Sequence, residues 1–225
     1  MDNLDNITLC LTIGKRPAEL DETLTHLLAR LPFKHIIAIN DFGDEATNDI
    51  FKKHCPNGTL ISLGYNLGHH RAIDYMYDKI TTEYVFHCED DWLFDDTPNI
   101  DQCLNLLNNN SNISCVAFRK IENFLYDPAD QAQIKVIQSN DGDYVRVDHL
   151  HDEWHGYSFN PHLAKVSLWR QYAPFAKFKK ERHISRHLRK QGVYMAFFKQ
   201  GYCHHIGHDS VSNPPKSFWQ KLKFW

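Results

Sequence analysis

The sequence predicts an α/β fold, a mostly parallel central sheet flanked by helices, and three observations carry that reading. β-prone runs alternate with amphipathic helical stretches through the first half of the chain. Each run stops at a polar or glycine-containing turn. No linker or internal repeat divides the 225 residues, so one domain spanning 1–225 is expected.

Residues 7–13 form a compact β-prone run closed by Gly14, Lys15, Arg16 and Pro17. Leu20, Leu24, Leu27, Leu28 and Leu31 then recur at helical spacing, which predicts a helix over 19–31. The pattern repeats with a strand over 35–39, a turn over 40–44 and a helix over 45–54. A third strand over 59–63 runs into the turn 64–71, which holds Asn66, Gly68 and Arg71, and a helix follows to about residue 80. Tyr84, Val85 and Phe86 suit a short buried fourth strand, and it stops abruptly at Glu89, Asp90 and Asp91. Beyond it the pattern is less regular. Strands are expected over 113–118, 157–160 and 193–198, a loop or hairpin over 127–143 turning at Asp141 and Gly142, and a helix over 181–190.

Three adjacent acids cannot be buried unpaired, so the strand must end there and deliver them to a cation. Hard ions such as Mg²⁺ and Mn²⁺ take carboxylate, phosphate and water oxygens, and a strand tip carrying Glu-Asp-Asp meets that demand. The competing reading is a helix N-cap enriched in acid, since Asp95, Asp96, Thr97 and Pro98 follow. In open parallel sheets ligands bind beyond the carboxyl ends of the strands, and the turns 14–17, 40–44, 64–71 and 89–91 all fall there.

Composition narrows the function. With 42% hydrophobic and 24% charged residues the chain is ordinary globular material, and a net charge of −3 gives no support to nucleic-acid binding. Cys10, Cys55, Cys88, Cys103, Cys115 and Cys203 include no Cys-x-x-Cys pair and several lie in apolar runs, which predicts free thiols in a reducing compartment. The opening residues carry no signal-peptide pattern, and no apolar run nears the ~20 residues of a membrane span. A soluble cytoplasmic protein is the expectation.

Histidine is abundant at 15 residues, and His204, His205 and His208 crowd one short stretch that could hold a transition metal in its own right. The tail, 211–225, alternates lysines with bulky aromatics. It could lie in a membrane interface, at the inner face of the plasma membrane, or serve as a lid or a packing strap.

Taken together these landmarks resemble the GT-A glycosyltransferases, a Rossmann-like fold, and specifically the inverting family 2 type that uses nucleotide-diphosphate sugars. Residues 11–20 are similar to that family's opening strand and N-R-P-x-x-L turn, with Gly14 and Lys15 in place of Tyr-Asn. Asn40, Asp41, Phe42 and Gly43 stand where the family has an Asp-rich turn against the nucleobase. Asn66, Leu67 and Gly68 followed by Arg71 resemble its N-x-G-x-x-x-A-R-N element, with the Arg early. Glu89, Asp90 and Asp91 match the D-x-D metal motif in an E-D-D form. Residues 158–161, and Glu181 with Gly192 eleven residues later, resemble the acceptor-side block, with Arg182 in place of its Asp.

The resemblance implies a nucleotide-sugar half over 1–95, an acceptor half over 96–210, and the basic aromatic tail. It implies that Thr12, Gly14, Arg16, Asp41, Asn66, Gly68, Arg71, Glu89 and Asp90 bind the donor, a UDP-sugar first of all. Asp91, then Glu89, with His205 or His208, are the implied ligands of Mn²⁺ or Mg²⁺. Lys15 or Arg71 could also reach the diphosphate. Inversion needs a base for the acceptor hydroxyl. Glu181 takes that role by its place in the block, with Asp152 and Glu153 as rivals. The expected activity is metal-dependent transfer of a hexosyl or N-acetylhexosaminyl group to a saccharide or lipid-linked acceptor, in bacterial capsule or lipopolysaccharide synthesis. Two other classes stay open, a nucleotidyltransferase or metal-dependent hydrolase, for which no P-loop is present, and a non-catalytic sugar-binding module.

Overall fold

The structure is a computed structural model, and it describes residues 2–124 and 127–207. The first half alternates as read from the sequence: β1 (Ile7–Ile13), α1 (Pro17–Arg30), β2 (His35–Asn40), α2 (Glu45–His54), β3 (Thr59–Ser62), α3 (His69–Tyr77) and β4 (Tyr84–Glu89). Proline's fixed φ and missing N–H suit a first helical position, so α1 opens at Pro17 rather than at residue 19. Asp44 caps α2 by accepting from Thr47 N at 3.1 Å. Gly68, at φ +89°, makes the corner before α3, a conformation that side chains rarely adopt. Arg71 therefore lies inside that helix, on its exposed side.

A turn at Asp90 and Asp91 leads into β5 (Trp92–Phe94), then α4 (Ile100–Asn109) and β6 (Ile113–Ala117). Asn99, not the acid run, caps α4, through Gln102 N at 3.1 Å. α5 (Pro128–Ala132) precedes the expected hairpin, β7 (Lys135–Ile137) and β8 (Tyr144–Arg146), whose connection includes Gly142 at φ +105°. β9 (His162–Lys165), α6 (Val166–Tyr172), α7 (Glu181–Arg189), β10 (Tyr194–Phe197) and β11 (Cys203–His205) complete the order.

The main sheet has nine strands in the order β3-β2-β1-β4-β9-β6-β10-β8-β7, so both halves of the chain contribute to it. β1 to β4 are mutually parallel, and β9 runs antiparallel between β4 and β6. β11 and β5 form a separate antiparallel ribbon pairing His205 with Trp92. The strand expected over 157–160 does not form. Pro161 has no N–H for a ladder, its carbonyl takes Phe118 N at 2.9 Å, and the strand begins one residue later. Tyr157 and Phe159, which gave the apolar alternation, are buried loop side chains.

Apolar side chains cover both faces of the sheet. Leu9, Leu11, Phe86 and Phe118 pack on one side, and Ile73, Met76, Tyr77, Tyr157 and Phe159 on the other. This double covering makes β4 a central strand whose only accessible polar end is its last residues. All six cysteines are free and buried. No described helix is long and apolar enough to cross a membrane. His208 and the tail 211–225 lie outside the described residues.

Candidate active site

The end of β4 meets the end of β1. Thr12 pairs with Glu89 in the ladder, and one turn later Gly14 N donates to Asp90 Oδ2 at 2.9 Å. Gly14 is required by the close approach, since a Cβ there would lie 2.5 Å from the Phe42 ring. Lys15 follows at φ +61°, with its amide held by Asp44 Oδ2 and its ammonium 4.4 Å from the Phe42 ring. This tight path aims Arg16 back at the acids. Its Nη1 lies 3.3 Å from Asp90 Oδ1 and pairs with Asp91 Oδ2. From below, buried Thr23 of α1 donates to Asp90 O at 3.0 Å and accepts from Trp92 N at 3.1 Å, fixing the acidic turn to the helix.

The ribbon supplies the other wall. His205 Nε2 lies 3.0 Å from Asp91 Oδ2, Ile206 N donates to Asp91 O at 2.9 Å, and Gly207 packs against the Asp91 side chain. Its neighbour His204 turns away to Asp95, which also pairs with Lys120. Asp91 Oδ1 is buried without a hydrogen-bond partner.

Those atoms suit a divalent ion. Two ligands at right angles on an ion with bonds of ~2.1 Å lie ~3.0 Å apart, which matches the Asp91 to His205 spacing. Among the described residues no group of three or more His, Cys, Asp and Glu side chains is placed to hold a metal ion. An ion of the Mg²⁺ class ordinarily leaves the rest of its shell to phosphate and water.

Burial dominates the electrostatics. It raises Asp90 to about 7, helped by the Asp91 charge and opposed by Gly14 N and Arg16. Burial likewise raises Glu89 well above the usual carboxylate range, with the charges of Asp91 and Glu181 adding to it. Glu89 accepts from Trp92 Nε1 at 3.3 Å.

Glu181, at the first turn of α7, lines a cavity of about 490 Å³ with Arg119, His151, Trp154, Ser158 and Asn160. Burial raises its carboxyl, while Ser158 and Phe159 N, at 3.3 Å, hold the charged form. Asp152 is exposed. Glu153 is taken by α7 through Arg182 at 3.4 Å and Arg186 at 3.0 Å. Asp41 forms a second polar corner, accepting from Gly68 N at 3.2 Å, and burial raises its carboxyl.

Of the residues singled out in the sequence, Gly14, Arg16, Asp90, Asp91 and His205 meet directly, with Thr12 and Glu89 alongside. Asp41 and Gly68 meet each other, whereas Asn66 and Arg71 are exposed. Thr23, Gly207 and Arg119 belong to the site and were not foreseen. A threonine buried among the leucines of α1 was the one signal available for Thr23.

Residues 9–170 match the family model described as glycosyl transferase family 2. A search of curated protein sequences finds no match. Among solved structures the fold is similar to Staphylococcus aureus TarS 1–349, at 9% identity and TM-score 0.60, covering 89% of this chain and 60% of that one. It is also similar to the mannosyltransferase PcManGT from Pyrobaculum calidifontis in complex with GDP-Man and Mn²⁺, at 12% identity and TM-score 0.62, covering 92% and 58%. TarS 1–349 in complex with UDP matches at 9% identity and TM-score 0.55, covering 88% and 59%. The chain thus spans about 60% of the length of these structures or less.

Proposed function

Because the chain belongs to glycosyl transferase family 2, we propose that it moves a hexosyl or N-acetylhexosaminyl group from a nucleotide-diphosphate sugar, with inversion, to a saccharide or lipid-linked acceptor. The single observation that carries this reading is Asp91, with one oxygen buried and unpartnered and the other 3.0 Å from His205. Asp91 and His205 would hold Mn²⁺ or Mg²⁺, with Glu89 behind them. When bound, the ion neutralises charge developing on the leaving diphosphate. Asp41 recognises the base and Asp90 takes sugar or ribose hydroxyls, while Thr12, Gly14 and Gly68 shape the donor crevice. Asn66 and Arg71, being exposed, serve the rim of that crevice.

Glu181 is the base. Its raised carboxyl is a better proton acceptor than an ordinary one, and it lines the cavity of about 490 Å³. The acceptor lies in that cavity with Trp154 offering an indole surface to a sugar ring. Asp152 and Glu153 remain rivals, although the ion pairs of Glu153 with α7 draw it from a proton-transfer role. Work at the cytoplasmic face in bacterial surface-polysaccharide synthesis, with the tail at the membrane, fits such an acceptor.

Calorimetry of UDP binding with and without Mn²⁺ tests the reading, followed by a donor screen for nucleoside-diphosphate release. Metal-dependent UDP binding that Asp91→Asn abolishes supports it. Donor-independent sugar binding with no turnover would leave a binding module instead.

A further inference from the structure

We propose that Arg16 is an exchangeable cation: in the metal-free protein its guanidinium neutralises Asp90 and Asp91, and it leaves for the donor diphosphate when the divalent ion arrives. This rests on the glycosyltransferase reading above.

Two neighbouring buried carboxylates cannot both be ionised without a cation between them. The Asp90 and Asp91 side chains are 6% and 3% exposed, and the Arg16 side chain only 12%. Lys15, the next cation along, is over the Phe42 ring and does not fill this role. A single nitrogen, Arg16 Nη1, touches both acids, and it does so through Asp91 Oδ2, the oxygen that also faces His205.

That oxygen has no room for a second cation. His205 Nε2 lies 3.0 Å from it, and Arg16 Nη1 already pairs with it. An ion bonded at ~2.1 Å must displace the guanidinium, by charge and by volume. Occupancy of Asp91 Oδ2 by Arg16 and by an ion shared with His205 is therefore mutually exclusive.

The exchange needs no backbone motion. Arg16 is the residue before α1, and its carbonyl is tied to Leu20 N at 3.0 Å, so the main chain stays while the long side chain turns. A planar guanidinium freed beside a bound diphosphate has the matching bidentate partner there. Metal alone then pays for ejecting a well-placed charge, while metal with diphosphate offers that charge a new partner. The two ligands bind with positive coupling, set by one side chain.

The test is Mn²⁺ titration followed by the electron paramagnetic resonance of free ion, without nucleotide and with UDP. Arg16→Gln should bind Mn²⁺ alone about tenfold or more tightly than wild type, and should gain less from UDP. Asp91→Asn should bind poorly in both conditions. A folded Arg16→Gln protein with wild-type Mn²⁺ affinity overturns the exchange while leaving the metal site intact. Asp91→Asn with undiminished binding overturns the metal reading and the exchange with it. Should Arg16→Gln not fold, a wild-type crystal complex with Mn²⁺ and UDP decides. Arg16 on a phosphate oxygen supports exchange, and Arg16 still on Asp91 beside a bound ion refutes it.

Discussion

Gly207→Ala should disable the site without removing any group that binds or reacts. A Cβ at residue 207 lies 2.4 Å from Asp91 Oδ2 and 3.0 Å from Asp91 Cβ and Cγ, whereas ordinary contact begins at 3.4 Å. The shortfall, 3.4 minus 2.4, is 1.0 Å. The main chain cannot easily retreat, because Ile206 N is bonded to Asp91 O at 2.9 Å and the preceding residues pair with β5. The carboxylate must move instead, by about that distance, away from residue 207 and out of its present spacing from His205. A misplacement of ~1 Å in a reacting constellation costs about 10²-fold in rate. The cost to folding stays small, about 1–3 kcal/mol for one added methyl. Steady-state nucleoside-diphosphate release should fall ~10²-fold, and the gain in UDP affinity from Mn²⁺ should shrink with it. UDP affinity without metal and the far-ultraviolet circular dichroism should not change. Turnover within about threefold of wild type would refute the placement of Asp91 at the centre of the chemistry.

Glu181→Gln should keep nucleotide and metal affinity and lose ~10²–10⁴ of single-turnover transfer, while Asp152→Asn with Glu153→Gln should keep most of it. The opposite outcome moves the base to the loop at 149–154. Asp41→Ala should weaken UDP binding about tenfold with and without metal, measured by calorimetry, and equal affinity would remove Asp41 from the base pocket. Asp90 gives a pH signature: its folded value, about 7, is above the unfolded one, so its protonated form favours the fold. Metal-free stability from this group is full below about 4 and is lost as pH rises through about 7. The buried His69, His155 and His162, each lowered by burial to about 4, push the other way. The wild-type minus Asp90→Asn difference in denaturant unfolding, taken from pH 4 to 8, isolates the acid, and a flat difference refutes the assignment.

The first half of the fold was legible because each strand and helix there advertises itself within its own residues. Residues 45–54 form a helix with the expected bounds, and β1 matches its run. The acids at the tip of β4 were legible for the same reason, an apolar strand cut short by charge. What the sequence hid depends on distant partners. β5 and β11 have three residues each, too few to show a period, and they exist because they pair with one another. β9 carries a buried histidine, His162, whose Nδ1 is bonded to Asn160 O at 2.8 Å, so its polarity disguises a central strand. Gly207 could not be read at all, because its importance is a distance to a side chain far away in sequence.

The β5–β11 ribbon also dictates the order in which the site comes into being. His205 and Asp91 are 114 residues apart, and closing so long a loop costs about 4 kcal/mol in its length-dependent part. Three paired positions, at about 1 kcal/mol per hydrogen bond, do not offset this by themselves. β11 follows β10 in the chain, and β10 reaches β4 only across β6 and β9, so the ribbon closes after those strands have joined the sheet. On a growing chain the carboxylates emerge long before their histidine exists. Arg16, made earlier still, is the cation already at hand to pair with Asp90 and Asp91 during that interval. A chain stopped before Cys203 would lack His205, Ile206 and Gly207, and with them the wall that encloses Asp91.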